Sequence, residues 1–254
     1  MASKELQAAL AAARAASEVI RAHYRHSPGV RLKPDASPVT EADVLAEEVI
    51  RATLTERFPT YGFFGEETGQ HAMSADNIWL VDPIDGTKAF VREIPFFSTQ
   101  IALMRAGRLV LGVSSAPVYG ELAWAEEGAG AYLDERAIRV SKRAALHEAG
   151  LSTGNLKSLA ASPRWQSFGR LIGAVGYLRG YGDFLHYHLL ARGALEVVLE
   201  SNVNILDIAA LTVIVREAGG VCTDLEGRAI GLATTSVLAS NGALHAEVLG
   251  LLAS

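Results

Sequence analysis

Cysteine is almost absent from this sequence of 254 residues, which contains a single one, Cys222. One thiol cannot form an internal disulfide, and a zinc site built from several cysteines is excluded as well. Cys222 lies in the apolar segment Gly-Gly-Val-Cys-Thr. This context favours a buried, inert thiol over a nucleophile.

Long apolar runs and an excess of basic charge are also missing. No segment reaches the ~18 uninterrupted apolar residues that a membrane-spanning helix needs. The 23 Lys and Arg residues are interspersed with 28 Asp and Glu residues, so no basic stripe indicates nucleic-acid binding. The alanine-rich N-terminal run carries Arg14 and has no evident signal cleavage site. We expect a cytoplasmic protein that binds neither nucleic acid nor a membrane.

Two amphipathic helices are predicted near the N-terminal end of the sequence. Apolar side chains from Leu6 to Tyr24 recur at helical spacing, which predicts a helix over about two dozen residues, ended at Ser27-Pro28-Gly29. Thr40 has the character of a helix N-cap. Asp43 follows three residues later, where an acid completes a capping box, and a second helix is therefore predicted from this point.

Strands and helices alternate irregularly in the rest of the chain, which predicts a layered α/β sandwich rather than a regular doubly wound sheet. Half of the residues are hydrophobic, enough for a substantial core. We expect one compact body over residues 1–254, with lobes at 1–145 and 146–254. The predicted strands are 79–82, 98–104, 109–114, 122–125, 131–133, 176–181, 195–200 and 236–239, and the predicted helices of the second lobe are 184–191, 205–218 and 243–252.

The most informative segment is Asp82-Pro83-Ile84-Asp85-Gly86-Thr87, which follows an apolar run that predicts a buried strand. Two carboxylates aimed at one point repel each other unless a cation lies between them. Mg²⁺ takes oxygen ligands of this kind and leaves positions for water and substrate phosphate. Gly86 permits a close approach of the backbone to a ligand. The segment predicts a metal-assisted phosphate site at the end of a strand.

Plain turns are the competing interpretation of this segment, because Asp-Pro and Asp-Gly are common turn formers. A solvated turn, however, does not require a second acid three residues after the first. The chemical interpretation is therefore favoured for the whole segment.

Further acids outside this segment could join the same site. Glu66 and Glu67 lie in a Gly-Glu-Glu-Thr-Gly segment, which alone is equally consistent with a solvated acidic turn. Asp207 opens an apolar helix, where an acid is costly to bury unless it is paired or bound to a metal. Asp43 and Asp207 can also be acids that merely stabilise the starts of their helices.

The segments 39–43, 65–67, 82–87 and 206–210 occur in this order and resemble the motif set of the inositol monophosphatase family of Mg²⁺-dependent phosphomonoesterases. The resemblance extends from about residue 5 to the C-terminus. It implies a five-layered α-β-α-β-α sandwich of the inositol monophosphatase and fructose bisphosphatase type, two or three Mg²⁺ ions, and a homodimer.

The resemblance also implies a role for each matching residue. Where the family usually has tryptophan before its last aspartate, this chain has Leu206, and no ligand is lost. The implied metal ligands are the side chains of Glu66, Asp82, Asp85 and Asp207 and the carbonyl of Ile84; the amides of Gly86 and Thr87 hold the phosphate; Asp43 and Thr87 orient and deprotonate the attacking water; and Glu67 assists these catalytic groups from behind the ligands.

Gly182, Asp183 and Glu200 fall where the family binds the leaving group. A carboxylate at Asp183 suits a cationic leaving group, and the segment Tyr181-Gly182-Asp183 resembles the histidinol-phosphate phosphatase branch. We predict histidinol phosphate as the substrate, with inositol phosphate or another sugar or nucleoside phosphate as the alternative. Asp183 can instead be only the cap of the helix that follows it.

The implied reaction is in-line attack of a cation-activated water on a phosphate monoester, without a covalent phosphoenzyme. Two other classes compete: a haloacid-dehalogenase-type phosphatase with a nucleophilic aspartate, and a non-catalytic metal- or phosphate-binding module. The first needs acids two apart, whereas Asp82 and Asp85 are three apart. His186 and His188 are two apart in a predicted helix and face different directions, so core or surface positions are favoured over a shared metal.

Overall fold

The computed structural model describes residues 2–26, 29–32 and 38–253. The predicted helix stop at Ser27 and Pro28 lies outside these residues. No helix in the described part of the chain is both long and apolar enough to cross a bilayer. The helices are α1 (Lys4–His23), α2 (Glu41–Arg57), α3 (Thr87–Val91), α4 (Leu156–Ala160), α5 (Trp165–Ala174), α6 (Asp183–Ala191), α7 (Ile205–Glu217) and α8 (His245–Ala253), with a 3-10 turn at Leu146–Glu148.

The strands form an eight-stranded sheet, a five-stranded sheet and a two-stranded ribbon, β1–β2. The order is β10-β9-β8-β7-β6-β5-β3-β4 in the large sheet and β12-β11-β13-β15-β14 in the small one. The strands are β1 (Arg31–Leu32), β2 (Pro38–Val39), β3 (Gly62–Gly65), β4 (Gly69–His71), β5 (Asn77–Asp85), β6 (Ser98–Arg105), β7 (Arg108–Ala116), β8 (Glu121–Glu126), β9 (Gly130–Leu133), β10 (Arg136–Ile138), β11 (Gly150–Gly154), β12 (Tyr177–Arg179), β13 (Val197–Ser201), β14 (Val221–Thr223) and β15 (Ser236–Ser240).

Three hydrophobic clusters hold five layers together. The first joins α1 and α2 to one face of the large sheet. The second places α6 and α7 between the other face of that sheet and the small sheet. The third covers the outer face of the small sheet with α5 and α8. The order is therefore α-β-α-β-α, as predicted.

Most of the predicted elements are present. The strands predicted at 79–82, 98–104 and 109–114 lie within β5, β6 and β7. The strand predicted at 176–181 is correct only over Tyr177–Arg179, and the last helix begins at His245 rather than at residue 243. Several elements are additional, among them the strands β3 and β4 and the helix α5, because glycine-interrupted or short segments carry little periodic signal.

Candidate active site

The acids of the central motif converge because the strand that carries them is irregular. In the pairing of β5 with β6, Asp82 faces Gln100 and Asp85 faces Ser98, so three steps on one strand oppose two on the other. Residues three apart on a regular strand point to opposite faces, and the extra residue of a bulge reverses this. The Ile84 N–H donates to Asp82 Oδ1 at 3.0 Å, which fixes the first carboxylate within the bulge.

Asp207 reaches the same point from the first turn of α7. The Asn204 N–H donates to Asp207 Oδ2 at 2.9 Å, and Asn204 Oδ1 accepts from the Leu206 N–H at 2.7 Å, which confirms the predicted role at the start of the helix. Asp82, Asp85 and Asp207 each offer an oxygen, and these three atoms lie within 4.8 Å of one another. Asp207 thus both caps the start of α7 and contributes an oxygen to the acid cluster.

Glu66 directly follows β3 and lies beside this cluster. Its N–H donates to the Val81 carbonyl at 3.1 Å, which ties it to β5 immediately before Asp82. Burial raises the pKa of Asp82 well above its usual range, and repulsion by Glu66 raises it further. The two carboxyl groups also share a hydrogen bond. Glu66 therefore belongs to the same group of acids as the three convergent aspartates.

The remaining acids of the cluster are shifted in the same direction. The pKa of Asp85 lies well above its usual range, through burial first and then repulsion by Asp183 and Asp207. Burial raises the pKa of Asp207 to about 7, with Glu66 adding repulsion. Carboxylates that repel one another in a desolvated site are stabilised by a cation among them. This donor set of oxygens alone fits a hard divalent ion such as Mg²⁺.

Thr87 and Asp43 meet beside the cluster. Thr87 Oγ1 lies 3.2 Å from Asp43 Oδ1 and 3.1 Å from the Ile84 carbonyl oxygen. Asp43 is fully buried, and the Thr40 N–H donates to its other oxygen at 2.7 Å, the predicted capping contact. Burial raises the pKa of Asp43 despite the hydrogen bonds from Thr40 and Thr87.

Gly86 is required by the backbone between the acids and α3. Its φ is +95°, in the left-handed region, and a Cβ at this position would lie 2.9 Å from the Phe96 carbonyl oxygen. Any other residue would pay for both the conformation and the overlap. Gly86 and Thr87 line a cavity of about 390 Å³, whose other lining residues are Pro38, Glu66, Lys88, Ala89, Arg92, Ile94, Asn155 and Asp183.

Of the three predicted leaving-group residues, Asp183 lines this cavity, whereas Gly182 and Glu200 are not among its lining residues. Gly182 occupies the cap position of α6 and Asp183 is the first helical residue, so the interpretation of Asp183 as the cap is wrong. Burial raises the pKa of Asp183 to about 6, with repulsion by Glu200 as the second cause. Glu200 is 4% exposed, and its Oε2 accepts from the Tyr187 hydroxyl at 2.8 Å.

His186 and His188 of α6 are buried, so of the predicted core and surface positions they occupy core positions. His186 Nδ1 lies 3.2 Å from Ser152 Oγ, and its Nε2 lies 3.3 Å from Glu200 Oε2 without hydrogen-bond geometry. His188 lies between Glu121 and Ser114, at 2.9 and 3.0 Å. The two histidines therefore occupy separate polar networks.

Glu47 is a residue that the sequence reasoning missed. It is fully buried in α2, and it accepts hydrogen bonds from the main-chain N–H groups of Glu67 and Thr68 at 2.8 and 2.7 Å. The available signal was its position four residues after Asp43, within the apolar stripe that includes Ala46 and Ile50. An acid inside such a stripe indicates a buried partner.

Comparison with known proteins gives the family. The chain matches the Inositol monophosphatase family over residues 1–254. It is 41% identical over 255 positions to the histidinol-phosphatase of Mycobacterium tuberculosis, covering 98% of each chain. It is 37% identical over 217 positions to an inositol-1-monophosphatase of Rhizobium meliloti, covering 84% of this chain and 81% of the relative.

Solved structures share the whole fold. The extragenic suppressor protein SuhB of Bartonella henselae has a TM-score of 0.90 at 32% identity, with 98% of each chain covered. The IMPase of Thermotoga maritima has a TM-score of 0.88 at 30% identity, with 99% of this chain and 97% of that one covered. The fold type predicted from the motif set is confirmed. The chain belongs to the inositol monophosphatase family and is a phosphatase, a phosphoric monoester hydrolase, of that family.

Proposed function

We propose that this protein hydrolyses a small phosphate monoester with the help of Mg²⁺, and that histidinol phosphate is its substrate. The observation that carries the first part is the convergence of three carboxylate oxygens, from Asp82, Asp85 and Asp207, within 4.8 Å in a site where acids repel one another. These three side chains, the Glu66 carboxylate and the Ile84 carbonyl would hold the ions, two or three in number.

When bound, divalent cations supply positive charge that neutralises the phosphoryl group and lowers the pKa of the attacking water. The chain's own residues position the reactants. The amides of Gly86 and Thr87 would hold the phosphate where they line the cavity. The Thr87 hydroxyl donates to Asp43 at 3.2 Å, so Thr87 would take the proton of the water while its own proton passes to the Asp43 carboxylate. Glu67, the residue after Glu66, would not bind the ion itself but would help to hold the residues that do.

The substrate proposal depends on the negative charge that Asp183 contributes to the cavity wall. Burial raises the pKa of Asp183, and repulsion by the nearby Glu200 raises it further. A leaving group that carries an ammonium and an imidazole would relieve this repulsion through charge-assisted hydrogen bonds. The histidinol-phosphatase of M. tuberculosis, 41% identical to this chain, supports the same choice.

Inositol phosphate is the second candidate. Glu200 Oε2 accepts from the Tyr187 hydroxyl, and a carboxylate fixed in this way can also accept from the hydroxyls of a polyol. The inositol-1-monophosphatase of R. meliloti supports this alternative. The other two classes considered above are not retained, since the family match and the named phosphatases replace them.

A panel of phosphate esters assayed with and without Mg²⁺ tests the proposal. Histidinol phosphate, inositol phosphates, fructose bisphosphate and adenosine bisphosphate would be compared by their kcat/KM values for phosphate release. We expect release to require Mg²⁺ and to be fastest from histidinol phosphate. Release at the same rate in chelator would contradict the metal role. A higher kcat/KM for inositol phosphate than for histidinol phosphate would contradict the proposed substrate.

Asp183→Ser separates the two substrates at the level of one side chain. The variant removes a negative charge from the cavity wall, so kcat/KM for histidinol phosphate is expected to fall by about tenfold or more, in keeping with ~1.5–3 kcal/mol for a hydrogen bond to a charged group. Activity on inositol phosphate is expected to change little. An unchanged rate on histidinol phosphate would remove the cation argument.

We further propose a homodimer, and a division of labour in which lobe 1–145 carries the metal and phosphate site and lobe 146–254 the leaving-group side and the last metal ligand. Light scattering of the purified protein tests the dimer. A mass of twice the 27.0 kDa chain is expected, and a monomeric mass at assay concentration would contradict it.

A further inference from the structure

A buried carboxylate lies directly behind the segment that carries Glu66. Glu47 is fully buried in α2, and both of its oxygens are used: Oε2 accepts from the Glu67 N–H at 2.8 Å and Oε1 from the Thr68 N–H at 2.7 Å. Burying a carboxylate is costly unless it is hydrogen-bonded, and an apolar side chain here would leave both N–H groups without this acceptor. The position therefore requires the acceptor itself.

The glycine before Glu66 makes room for this carboxylate. A Cβ on Gly65 would lie 2.4 Å from Glu47 Oε1 and 2.7 Å from Oε2. The space that a side chain at residue 65 would fill is thus taken by the Glu47 carboxylate. On the other side, the Glu66 N–H donates to the Val81 carbonyl at 3.1 Å. Main-chain contacts therefore fix the backbone on both sides of Glu66, through β5 and through Glu47.

The same helix fixes a second part of the site. Asp43 lies one turn before Glu47 on α2 and faces Thr87 Oγ1 at 3.2 Å. Residues four apart lie on the same face of a helix. The helix α2 therefore sets the distance between the Asp43–Thr87 pair and the backbone that carries Glu66.

We propose that Glu47 is a positioning residue of the metal centre, which holds the backbone of residues 65–68 so that the Glu66 carboxylate faces Asp82. This inference rests on the proposed function, in which Glu66 is a metal ligand. Glu47 acts through Glu66 and does not itself touch the ion or the substrate.

Glu47→Gln is the sharpest test, because glutamine has the same shape but offers one acceptor oxygen instead of two. One of the N–H groups of Glu67 and Thr68 then faces an NH₂ group. Calorimetric titration of Mg²⁺ into the metal-stripped protein, without substrate, measures the effect. We expect the dissociation constant for Mg²⁺ to rise by about 10- to 100-fold, the range for partners that orient metal ligands. Saturating Mg²⁺ is expected to restore part of kcat.

Glu196→Gln is the matched control. Glu196 is 1% exposed and also accepts a main-chain hydrogen bond, from Gly150 at 2.7 Å, but it lies directly before β13 of the small sheet. A purely structural effect of losing a buried carboxylate appears in both variants as a lower melting temperature. We expect only Glu47→Gln to change Mg²⁺ affinity. If Glu47→Gln does not fold, Glu47→Asp, which keeps the charge but withdraws the oxygens, is expected to weaken Mg²⁺ binding as well.

The outcomes separate this inference from the proposed function. A wild-type protein that binds Mg²⁺ and hydrolyses phosphate esters, with a folded Glu47 variant of unchanged Mg²⁺ affinity, would overturn the positioning role alone. Equal weakening in Glu47→Gln and Glu196→Gln would overturn it too. A wild-type protein that neither binds Mg²⁺ nor releases phosphate would overturn the proposed function instead.

Discussion

Some carboxylates in this protein lie where they lower the stability of the folded chain unless a cation is bound. Asp82 is 2% exposed. Burial first, and then repulsion by the neighbouring acids, raises its pKa and that of Asp85 well above the usual range. Natural sites often accept such a cost where function requires it. Loss of one of these charges should therefore harm catalysis without harming the fold.

Asp85→Asn makes this expectation measurable. Phosphate release at saturating Mg²⁺ is expected to fall by on the order of 10²–10³-fold, the size of effect seen when one group that stabilises transition-state charge is removed. The free energy of unfolding in chelator should stay the same or rise, because one repelling charge is gone. Denaturant unfolding and steady-state rates measure the two quantities.

Asp224→Asn is the control for that variant. Asp224 is also largely buried, and its Oδ1 accepts the N–H groups of Glu226 and Arg228, a role that asparagine can keep. This change should leave phosphate release unaltered. A wild-type rate in Asp85→Asn would contradict the assignment of Asp85 as a ligand.

Gly86→Ala tests whether the backbone at this position requires glycine. The left-handed backbone costs an L-residue roughly 1–2 kcal/mol. At Gly86 a Cβ would also lie 2.9 Å from the Phe96 carbonyl oxygen, whereas at Gly107, with φ +77°, it would meet nothing within 4 Å. We expect Gly86→Ala to lose more unfolding free energy than Gly107→Ala, and to slow phosphate release as well. Equal losses and equal rates in the two variants would contradict the account.

Most of these residues could be identified from the sequence, because they lie in short segments with a recognisable pattern. Asp82, Asp85 and Thr87 occur in one motif, and Asp207 stands out as an acid in an apolar helix. Glu47 escaped notice, since its importance depends on which backbone passes its carboxylate in three dimensions. No local pattern records that contact.

Among the elements, α6 is joined to the large sheet by a buried polar network. His188 Nδ1 lies 2.9 Å from Glu121 Oε2, and its Nε2 lies 3.0 Å from Ser114 Oγ. Gln100 Nε2 donates to the same Ser114 oxygen at 3.1 Å. Gln100 is the partner of Asp82 across β5 and β6. The helix that begins with Asp183 is thus held to β6, the strand that pairs with the end of β5 where Asp82 and Asp85 lie.

This network makes part of the stability depend on pH. The hydrogen bond from His188 lowers the pKa of Glu121, and burial lowers the pKa of His188. Both groups bind protons more readily in the unfolded chain, so their contribution is present at higher pH and is lost as the pH falls. For His188 the loss begins near its unfolded pKa of about 6.5, and for Glu121 only below about 4.5.

His188→Gln isolates this contribution. At pH 7.5 the variant is expected to be about 1–3 kcal/mol less stable, the usual cost of leaving a buried hydrogen-bonding group unpaired. The difference from wild type should shrink as the pH falls to 5, because wild type loses the contribution of a neutral His188. Denaturant unfolding across this pH range gives the comparison. A difference that stays constant with pH would contradict the account.

Element prediction was strongest where the periodicity was clear. The strands β5, β6 and β7 and the helix α7 were correct to within a few residues. The small strands β3 and β4 were missed, although β3 delivers Glu66, because three or four residues between glycines carry too little pattern. The bulge that turns Asp82 and Asp85 toward one point is likewise a property of pairing with β6, which a single strand does not encode.

At the scale of the whole molecule, the site forms where the layers meet. The outer helix α2 contributes Asp43, the end of β5 contributes Asp82 and Asp85, and the central helix α7 contributes Asp207. The order of layers follows from which faces pack together, and periodicity alone predicted only a layered α/β sandwich. The number of layers came from the ordered motif set, which spans all of these elements.

The most direct test of the central claim is the position of a bound divalent ion. In an anomalous difference map from crystals soaked in Mn²⁺, a stand-in for Mg²⁺ with its own anomalous signal, we predict peaks among the carboxylates of Glu66, Asp82, Asp85 and Asp207. Peaks elsewhere in the protein, with none among these four carboxylates, would contradict the account.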